Sequence, residues 1–248
     1  GAALIDNGGL SGQVQYRGIF GDRILVRVDG QRFSSGGPNL MDPPLHYAPL
    51  PLVDRIELDR GVSPVSSGPG LAGGADAVFK RVNYSDNETP SFGYDFSLGG
   101  RSVNESLATG GVFGASTQDW RLSLLGLWEE GDDTEFADGT IAGTAFERGV
   151  YGLSGGLRTD LGEITLDLRR QNTGPSGNPP FPMDIIYFDT DFARLGYTNT
   201  FGAATFDAGA RVVDGFTGAT PLILAYQGGW DAVTDAKADA RRGRRSRG

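Results

Sequence analysis

The 248-residue sequence contains no cysteine, one histidine and two methionines. The missing cysteines exclude a disulfide framework, a zinc knuckle and a thiol nucleophile. The single histidine, His46, excludes a multi-histidine metal centre and permits at most one imidazole general base. Nothing in the residues that flank His46 indicates a Ser-His-Asp triad. The common hydrolase and metalloenzyme arrangements are therefore excluded, and we predict that the protein is not an enzyme.

Long apolar runs are also missing. The longest ones, such as residues 222–226, are far shorter than the ~20 residues of a transmembrane helix. The 40 glycines argue against a helix-rich domain, because each glycine inside a helix costs about 1 kcal/mol relative to alanine. The net charge is −9, and we expect no nucleic-acid surface on the main body. A turn-rich, mainly β protein remains, including membrane β-barrels, whose strands hide hydrophobicity in alternation.

Two regions with different sequence patterns meet near residue 84. The first region contains short β-branched or alternating runs joined by Gly- and Pro-rich links, and it is predicted as a small mixed α/β unit with long ordered loops. Its strand candidates are residues 23–30, 52–61 and 77–82. The acidic stretch 129–138, in the second region, does not have the spacing of an EF-hand and is predicted as a solvated loop.

From about Ser91 onward, apolar residues alternate with small or charged residues in segments of about ten residues. This period of two places alternate side chains on opposite faces of a sheet. Short turns alternate with long polar connections, which favours a transmembrane barrel over a soluble sandwich. We predict that residues 91–213 form antiparallel strands whose apolar side chains face lipid, detergent or, in a fragment, solvent. Because an unclosed sheet has two unpaired edges, the isolated chain should be poorly soluble or only marginally folded.

The first region also carries several short motifs in a fixed order. They are Arg17-Gly18, Asp29-Gly30, Ile56-Glu57-Leu58-Asp59-Arg60-Gly61, Ser67-Gly68 and Gly73-Gly74. In this order they resemble the second half of the plug domain of TonB-dependent outer-membrane receptors. The sequence departs from that pattern at Val62, where proline is usual, and at Ser67, where tyrosine is usual.

The resemblance implies part of a receptor in which a plug fills a roughly 22-stranded barrel. The predicted fold class is mainly β, with a small mixed α/β plug segment followed by antiparallel transmembrane β-barrel strands that form an incomplete barrel. The predicted domains are a partial plug over residues 1–84, a partial barrel of about seven or eight strands over 85–230, and a basic, disordered tail over 231–248.

Two segments are similar to the paired segments of copper-type receptors, in which Cys-x-x-x-Met on the plug and His-x-Met on a barrel loop supply soft ligands. Met41 and Met183 stand at both methionine positions, whereas Gly37 and Phe181 replace the cysteine and the histidine. Two thioethers alone make a poor site for Cu(I). We therefore predict weak or absent Cu(I) affinity and a contact between the two methionines that is mainly packing.

Loop 36–46 should lie near loop 179–187 if the fold is receptor-like. The candidate metal ligands are Met41, Met183 and His46, and the candidate substrate-binding residues are Asn39, Asp42, Phe181 and Asp184. No resident cofactor is expected, and copper is a candidate cargo. The resemblance implies uptake of a scarce solute, copper or another metal complex, across the outer membrane, with TonB, membrane lipid and a small solute as partners. A self-contained small outer-membrane barrel with a structural or adhesive role is the alternative.

Overall fold

A computed structural model describes most of the chain, and strands dominate it. The described residues are 2–6, 8–10, 12–32, 43–62, 70, 72–177, 179, 184–201, 204–219, 223–234 and 238–242. Among them the helices are short 3-10 turns, at Gly21–Arg23, Pro44–Tyr47, Leu50–Leu52 and Ser102–Asn104. No helix in these residues is long and apolar enough to cross a bilayer.

The N-terminal unit, within residues 2–84, contains two small sheets. Its strands are β1 Ala2–Asp6, β2 Gly12–Tyr16, β3 Leu25–Val28, β4 Gln31–Arg32, β5 Val53–Arg60 and β6 Gly73–Phe79. Strands β1 and β2 form an antiparallel pair, and the other four form a sheet in the order β4-β3-β6-β5. In that sheet β3 and β6 run parallel. The helical turns described in this unit are 3-10, and two of the three, Pro44–Tyr47 and Leu50–Leu52, contain prolines, which lack the N–H of an α-helical ladder.

The turn between β3 and β4 shows why this unit needs an Asp-Gly pair. Asp29 and Gly30 both have left-handed backbone conformations, with φ of +50° and +72°. Two such residues in succession make the two-residue hairpin turn that suits the right-handed twist of strands. Glycine adopts this conformation without a steric penalty, and aspartate tolerates it better than most other residues.

The second region forms one large sheet. Its strands are β7 Ser91–Arg101, β8 Ser106–Ser116, β9 Trp120–Gly131, β12 Phe146–Thr159, β13 Gly162–Thr173, β14 Ile185–Phe201, β15 Ala204–Ala219, β16 Ile223–Thr234 and β17 Ala238–Arg242. They follow one another in sequence order and every neighbouring pair is antiparallel. The hairpin of β10 Thr134–Phe136 and β11 Gly139–Ile141 projects from the connection between β9 and β12. Strands β7 and β17 are the two edges, so the sheet is open and the predicted incomplete barrel is confirmed.

The two faces of the large sheet differ as the alternation predicts. On β9 the side chains of Trp120, Leu122 and Leu124 are exposed, whereas Ser123 between them is 1% exposed. Polar residues on this inner face are buried because the N-terminal unit packs against it. The two regions share one apolar core, formed by Val28, Tyr47, Leu52, Phe79, Leu127, Val150, Ile185, Phe188 and Phe192. The apolar residues on the opposite, outer face have no such cover.

The range 231–248, for which the sequence predicts a disordered tail, is described in part, and the tail stays a prediction. The described part of this range includes the end of β16 and all of β17, whose backbone pairs with β16 from Trp230 opposite Arg242 to Thr234 opposite Ala238. An unpaired strand edge offers a row of free N–H and C=O groups, and pairing with it satisfies the backbone of the following segment. Composition alone does not reveal this gain.

Candidate functional site

His46 lies at the centre of the contact between the N-terminal unit and the large sheet. It belongs to the 3-10 turn Pro44–Tyr47, which Pro43 and Pro44 begin, and it is fully buried. Its ring packs edge-on against the rings of Tyr47 and Phe188, with centroids 5.3 and 5.7 Å away. Burial, and then the charge of Arg148, lowers the pKa of His46 to about 3. The imidazole is therefore neutral at physiological pH, which is the form that binds metal ions.

Hydrogen bonds from the inner face of the large sheet fix the His46 turn. The carbonyl oxygen of His46 accepts hydrogen bonds from Arg148 Nη1 and, at 3.4 Å, from Gln171 Nε2. His46 Nε2 lies 3.3 Å from Thr173 Oγ1. The other ring nitrogen, Nδ1, is buried without a hydrogen-bond partner among the described residues. Because an unpaired buried polar atom is costly, Nδ1 is the atom of this turn most suited to a ligand.

A buried ion pair supports the same turn. Glu129 on β9 and Arg148 on β12 stand directly opposite each other in the antiparallel register. The Arg148 guanidinium donates from Nε to Glu129 Oε1, its Nη2 also contacts that oxygen, and its Nη1 turns to the His46 carbonyl. Both side chains are buried. The sheet therefore presents a neutralised charge pair, rather than a free cation, to the turn that carries His46.

The sequence pattern does not identify this pair. It predicts Glu129 in a solvated acidic loop, and that prediction is wrong for Glu129, which is 8% exposed. The alternation on β9 was the available signal, since Glu129 shares the inward parity of Ser123 and Leu127. Arg148, Gln171 and Thr173 were also not identified, because their role depends on which strand lies beside them and on the turn that covers them.

The other predicted site residues belong to loop 36–46 or to loop 179–187. Asp184 is exposed and immediately precedes β14. Met41, Met183, Asn39, Asp42 and Phe181 lie outside the described residues, so the proximity of the two methionines stays a prediction. The residues that directly follow the two loops, Tyr47 and Phe188, are in contact, with ring centroids 5.8 Å apart. Within the described residues, no group of three or more His, Cys, Asp or Glu side chains is arranged to hold a metal ion.

Comparison with protein families identifies the N-terminal unit. Residues 4–75 match the family described as the TonB-dependent receptor plug domain. This match lies within the N-terminal unit. We therefore call the N-terminal unit the plug, and we call the large sheet against which it packs the wall. A comparison with curated protein sequences gives no significant match.

Solved receptor structures share this architecture over almost the whole chain. The structure described as the copper transporter OprC has a TM-score of 0.79 at 19% identity, covering 94% of this chain and 39% of that one. The FrpB iron transporter from Neisseria meningitidis (F5-1 variant) has a TM-score of 0.69 at 14% identity, with 93% and 39% covered. The siderophore receptor PirA from Acinetobacter baumannii has a TM-score of 0.60 at 14% identity, with 88% and 36% covered. The chain thus spans well under half the length of these proteins, and the likeness shows a shared fold.

Proposed function

We propose that the chain is part of an outer-membrane receptor that takes up a scarce solute, and that this solute is a metal complex. The proteins with the same fold are described as a copper transporter, an iron transporter and a siderophore receptor. Outer-membrane lipid around the wall, TonB as the energy-coupling partner and a small solute are the expected partners. The role is binding and movement of a cargo without covalent chemistry.

The observation that carries this proposal is the His46 turn. It places a neutral, fully buried imidazole with an unpartnered Nδ1 where the plug meets the wall. Met41 and Asp42 come shortly before it in sequence, and Met183 and Asp184 come shortly before the Phe188 ring that it contacts. A solute held between these two segments would contact the plug and the barrel wall together.

The residue types favour a complex over a bare copper ion. Gly37 offers no donor and Phe181 offers only an apolar ring, so Met41, Met183 and the imidazole of His46 are the soft ligands available. A metal that arrives with its own ligand shell needs fewer protein donors. Its shell would instead contact the polar and aromatic side chains proposed to line the site, namely Asn39, Asp42, Phe181 and Asp184.

A competition titration tests whether free copper is the cargo. Cu(I) is titrated into the detergent-solubilised chain against a chelator of known affinity. We expect no tight binding, and we expect Met41→Ala and Met183→Ala to lower stability by about 2 kcal/mol or more if the side chains are buried. Tight one-to-one Cu(I) binding that disappears in Met41→Ala, and in His46→Asn, would instead identify the bare ion as the cargo.

An uptake assay tests the receptor role itself. The receptor that contains this chain is expressed in the outer membrane of a bacterial strain without its own metal-complex receptors, and radiolabelled ferric-siderophore and copper complexes are supplied. We expect one class of complex to accumulate only when TonB is functional. Equal accumulation with and without TonB for every complex would contradict the proposal. The alternative of a self-contained structural barrel has less support, because the described sheet is open at β7 and β17 and does not close on itself.

A further inference from the structure

Arg169 is a second polar group buried between the plug and the barrel wall. It stands on the inner face of β13, opposite Gly152 on β12 and Phe192 on β14. Its side chain is 7% exposed. Burial of a guanidinium is costly unless its charge and its flat faces both find partners. The contacts of Arg169 therefore indicate what this residue does.

The partners of Arg169 come from both parts of the protein. Its guanidinium lies over the ring of Phe79 on the plug, 4.1 Å from the centroid, and over the ring of Phe192 on the wall, 4.5 Å from the centroid. Its Nη1 is 3.4 Å from Oδ2 of Asp29 on the plug. Cation–π and ionic attraction both strengthen when water is excluded. We call these four residues the Arg169 contact.

The two carboxylate oxygens of Asp29 have different partners: those of Oδ1 are on the plug, and that of Oδ2 is on the wall. Oδ1 accepts hydrogen bonds from the backbone N–H of Phe79 at 2.9 Å and from Arg81 Nη2 at 2.8 Å. Oδ2 faces Arg169. If the plug separated from the wall, Asp29 would keep Arg81 and Arg169 would keep Phe192. Neither charge would lose all of its partners, so the contact can open and close again.

The wall leaves room for this arrangement at Gly152. A Cβ added to Gly152 would lie 2.9 Å from the Cα of Arg169, and even closer to the backbone oxygen of Leu168. Both distances are shorter than real Cβ contacts. The glycine thus allows β12 to approach β13 closely where the large Arg169 side chain leaves the wall.

Two other described polar contacts between plug and wall are weaker by charge or by exposure, and in the Arg148–His46 hydrogen bond the guanidinium charge is already neutralised by Glu129 on the wall. Lys80 pairs with Asp95, whose side chain is 54% exposed, so solvent and salt screen this pair. Gln31 Nε2 donates at 3.3 Å to the carbonyl of Ala193, which is a neutral hydrogen bond. In the Arg169–Asp29 pair both side chains are 7% exposed.

We propose that Arg169 is the positioning residue that holds the four-stranded sheet of the plug against the barrel wall. Movement of the plug away from the wall requires Arg169 to separate from Asp29 and Phe79. This inference rests on the described contacts and does not depend on the identity of the solute.

The absence of cysteine allows a direct test on the full chain. Val150→Cys places one thiol on the inner face of β12, in the core that Val150 shares with the plug, where it is 2% exposed. Its rate of modification by a water-soluble maleimide in detergent micelles reports how often the plug uncovers the wall. Arg169→Gln and Asp29→Asn are made separately and together in this background, with Arg169→Lys as the conservative variant. Arg170→Gln is the matched control, because Arg170 pairs with Asp191 and both are exposed.

We expect Arg169→Gln and Asp29→Asn each to raise the modification rate on the order of 100-fold, as loss of one partner of a buried pair predicts. The double variant should be no faster than the faster single one, Arg169→Lys should be intermediate, and Arg170→Gln should stay within about threefold of the parent. Asp29→Asn retains an acceptor for the Phe79 N–H, and unchanged circular dichroism shows that the sheet persists. Equal rates for Arg169→Gln and Arg170→Gln, or effects that multiply in the double variant, would overturn the proposal.

Discussion

At the scale of single residues, buried polar side chains connect the plug to the wall. His46 is uncharged in this contact, because burial and the charge of Arg148 disfavour the imidazolium and lower the pKa of His46 to about 3. Glu129 neutralises Arg148, whose remaining donor is used by the His46 carbonyl. The turn that leads into the candidate solute site is therefore fixed by groups that are all neutral or paired.

The low pKa of His46 predicts an acid-sensitive contact. Between pH 6.5 and pH 3 the unfolded chain binds a proton at His46 and the folded chain does not. The stabilising effect of the neutral imidazole is thus complete above pH 6.5 and decreases as the pH falls, by about 1.4 kcal/mol per pH unit. Urea unfolding in detergent at several pH values measures this slope. In His46→Gln the free energy of unfolding should change less steeply with pH just below pH 6.5 than in the parent protein. Equal slopes for the two proteins would contradict this.

Removal of Glu129 should destabilise the fold much more than removal of an exposed partner. Glu129→Ala leaves Arg148 buried without its carboxylate, which typically costs about 3–5 kcal/mol. Asp191→Ala removes a partner of the exposed Arg170 and should cost less than about 1 kcal/mol. Tryptophan fluorescence during chemical unfolding compares the two variants. If both variants unfold at the same denaturant concentration, the Glu129–Arg148 pair does not support the plug contact.

At the scale of strands, the period of two determines which side chains share the exposed face of the sheet. On β13 the residues Ile164, Leu166 and Leu168 are exposed, and Arg169 and Gln171 on the other parity are buried. The outer face is thus apolar along the middle of the strand. It becomes polar at the end, where Asn172 donates a hydrogen bond to Asp189.

A charge placed on the outer face of β13 should have an effect that depends on depth. Leu166→Arg puts a cation near the middle of the strand, where the expected cost of folding into a bilayer is about 2–4 kcal/mol. Asn172→Arg is the matched control on the same face at the strand end, where the expected cost is about 0–1 kcal/mol. Folding into phosphatidylcholine vesicles, followed by protease resistance, measures both. Equal yields would show that this face does not meet the hydrocarbon.

The sequence predicted the strands and their faces because that information is local. Each strand of the wall carries its own alternation, and the Asp29-Gly30 turn carries its own backbone requirement. The contacts across the structure are different. Asp29 meets Arg169, which is 140 positions away in the chain, and only the placement of the plug inside the wall brings them together. No local pattern reports that placement, so the Arg169 contact could not be predicted. The alternation on β9 indicates the inward face of Glu129, but it does not indicate the pairing with Arg148.

At the scale of the whole molecule, the protein is a plug that covers one face of an open antiparallel sheet. The motifs of the N-terminal region predict a plug, and the match of residues 4–75 to the plug domain family confirms this prediction. The open edges at β7 and β17 agree with a chain that covers 39% of the OprC structure. The central claim is that the uncovered outer face meets lipid and the inner face meets the plug.

Spin labelling along β9 in lipid vesicles tests that claim most directly. Single cysteines replace Leu122, Ser123, Leu124 and Leu125 in the cysteine-free chain, and each label is examined for collisions with oxygen, which partitions into lipid, and with a nickel chelate, which stays in water. We expect strong oxygen collisions at residues 122 and 124, and protection from both reagents at 123 and 125, beneath the plug. Equal accessibility along the strand, or nickel contact at 122 and 124, would contradict it.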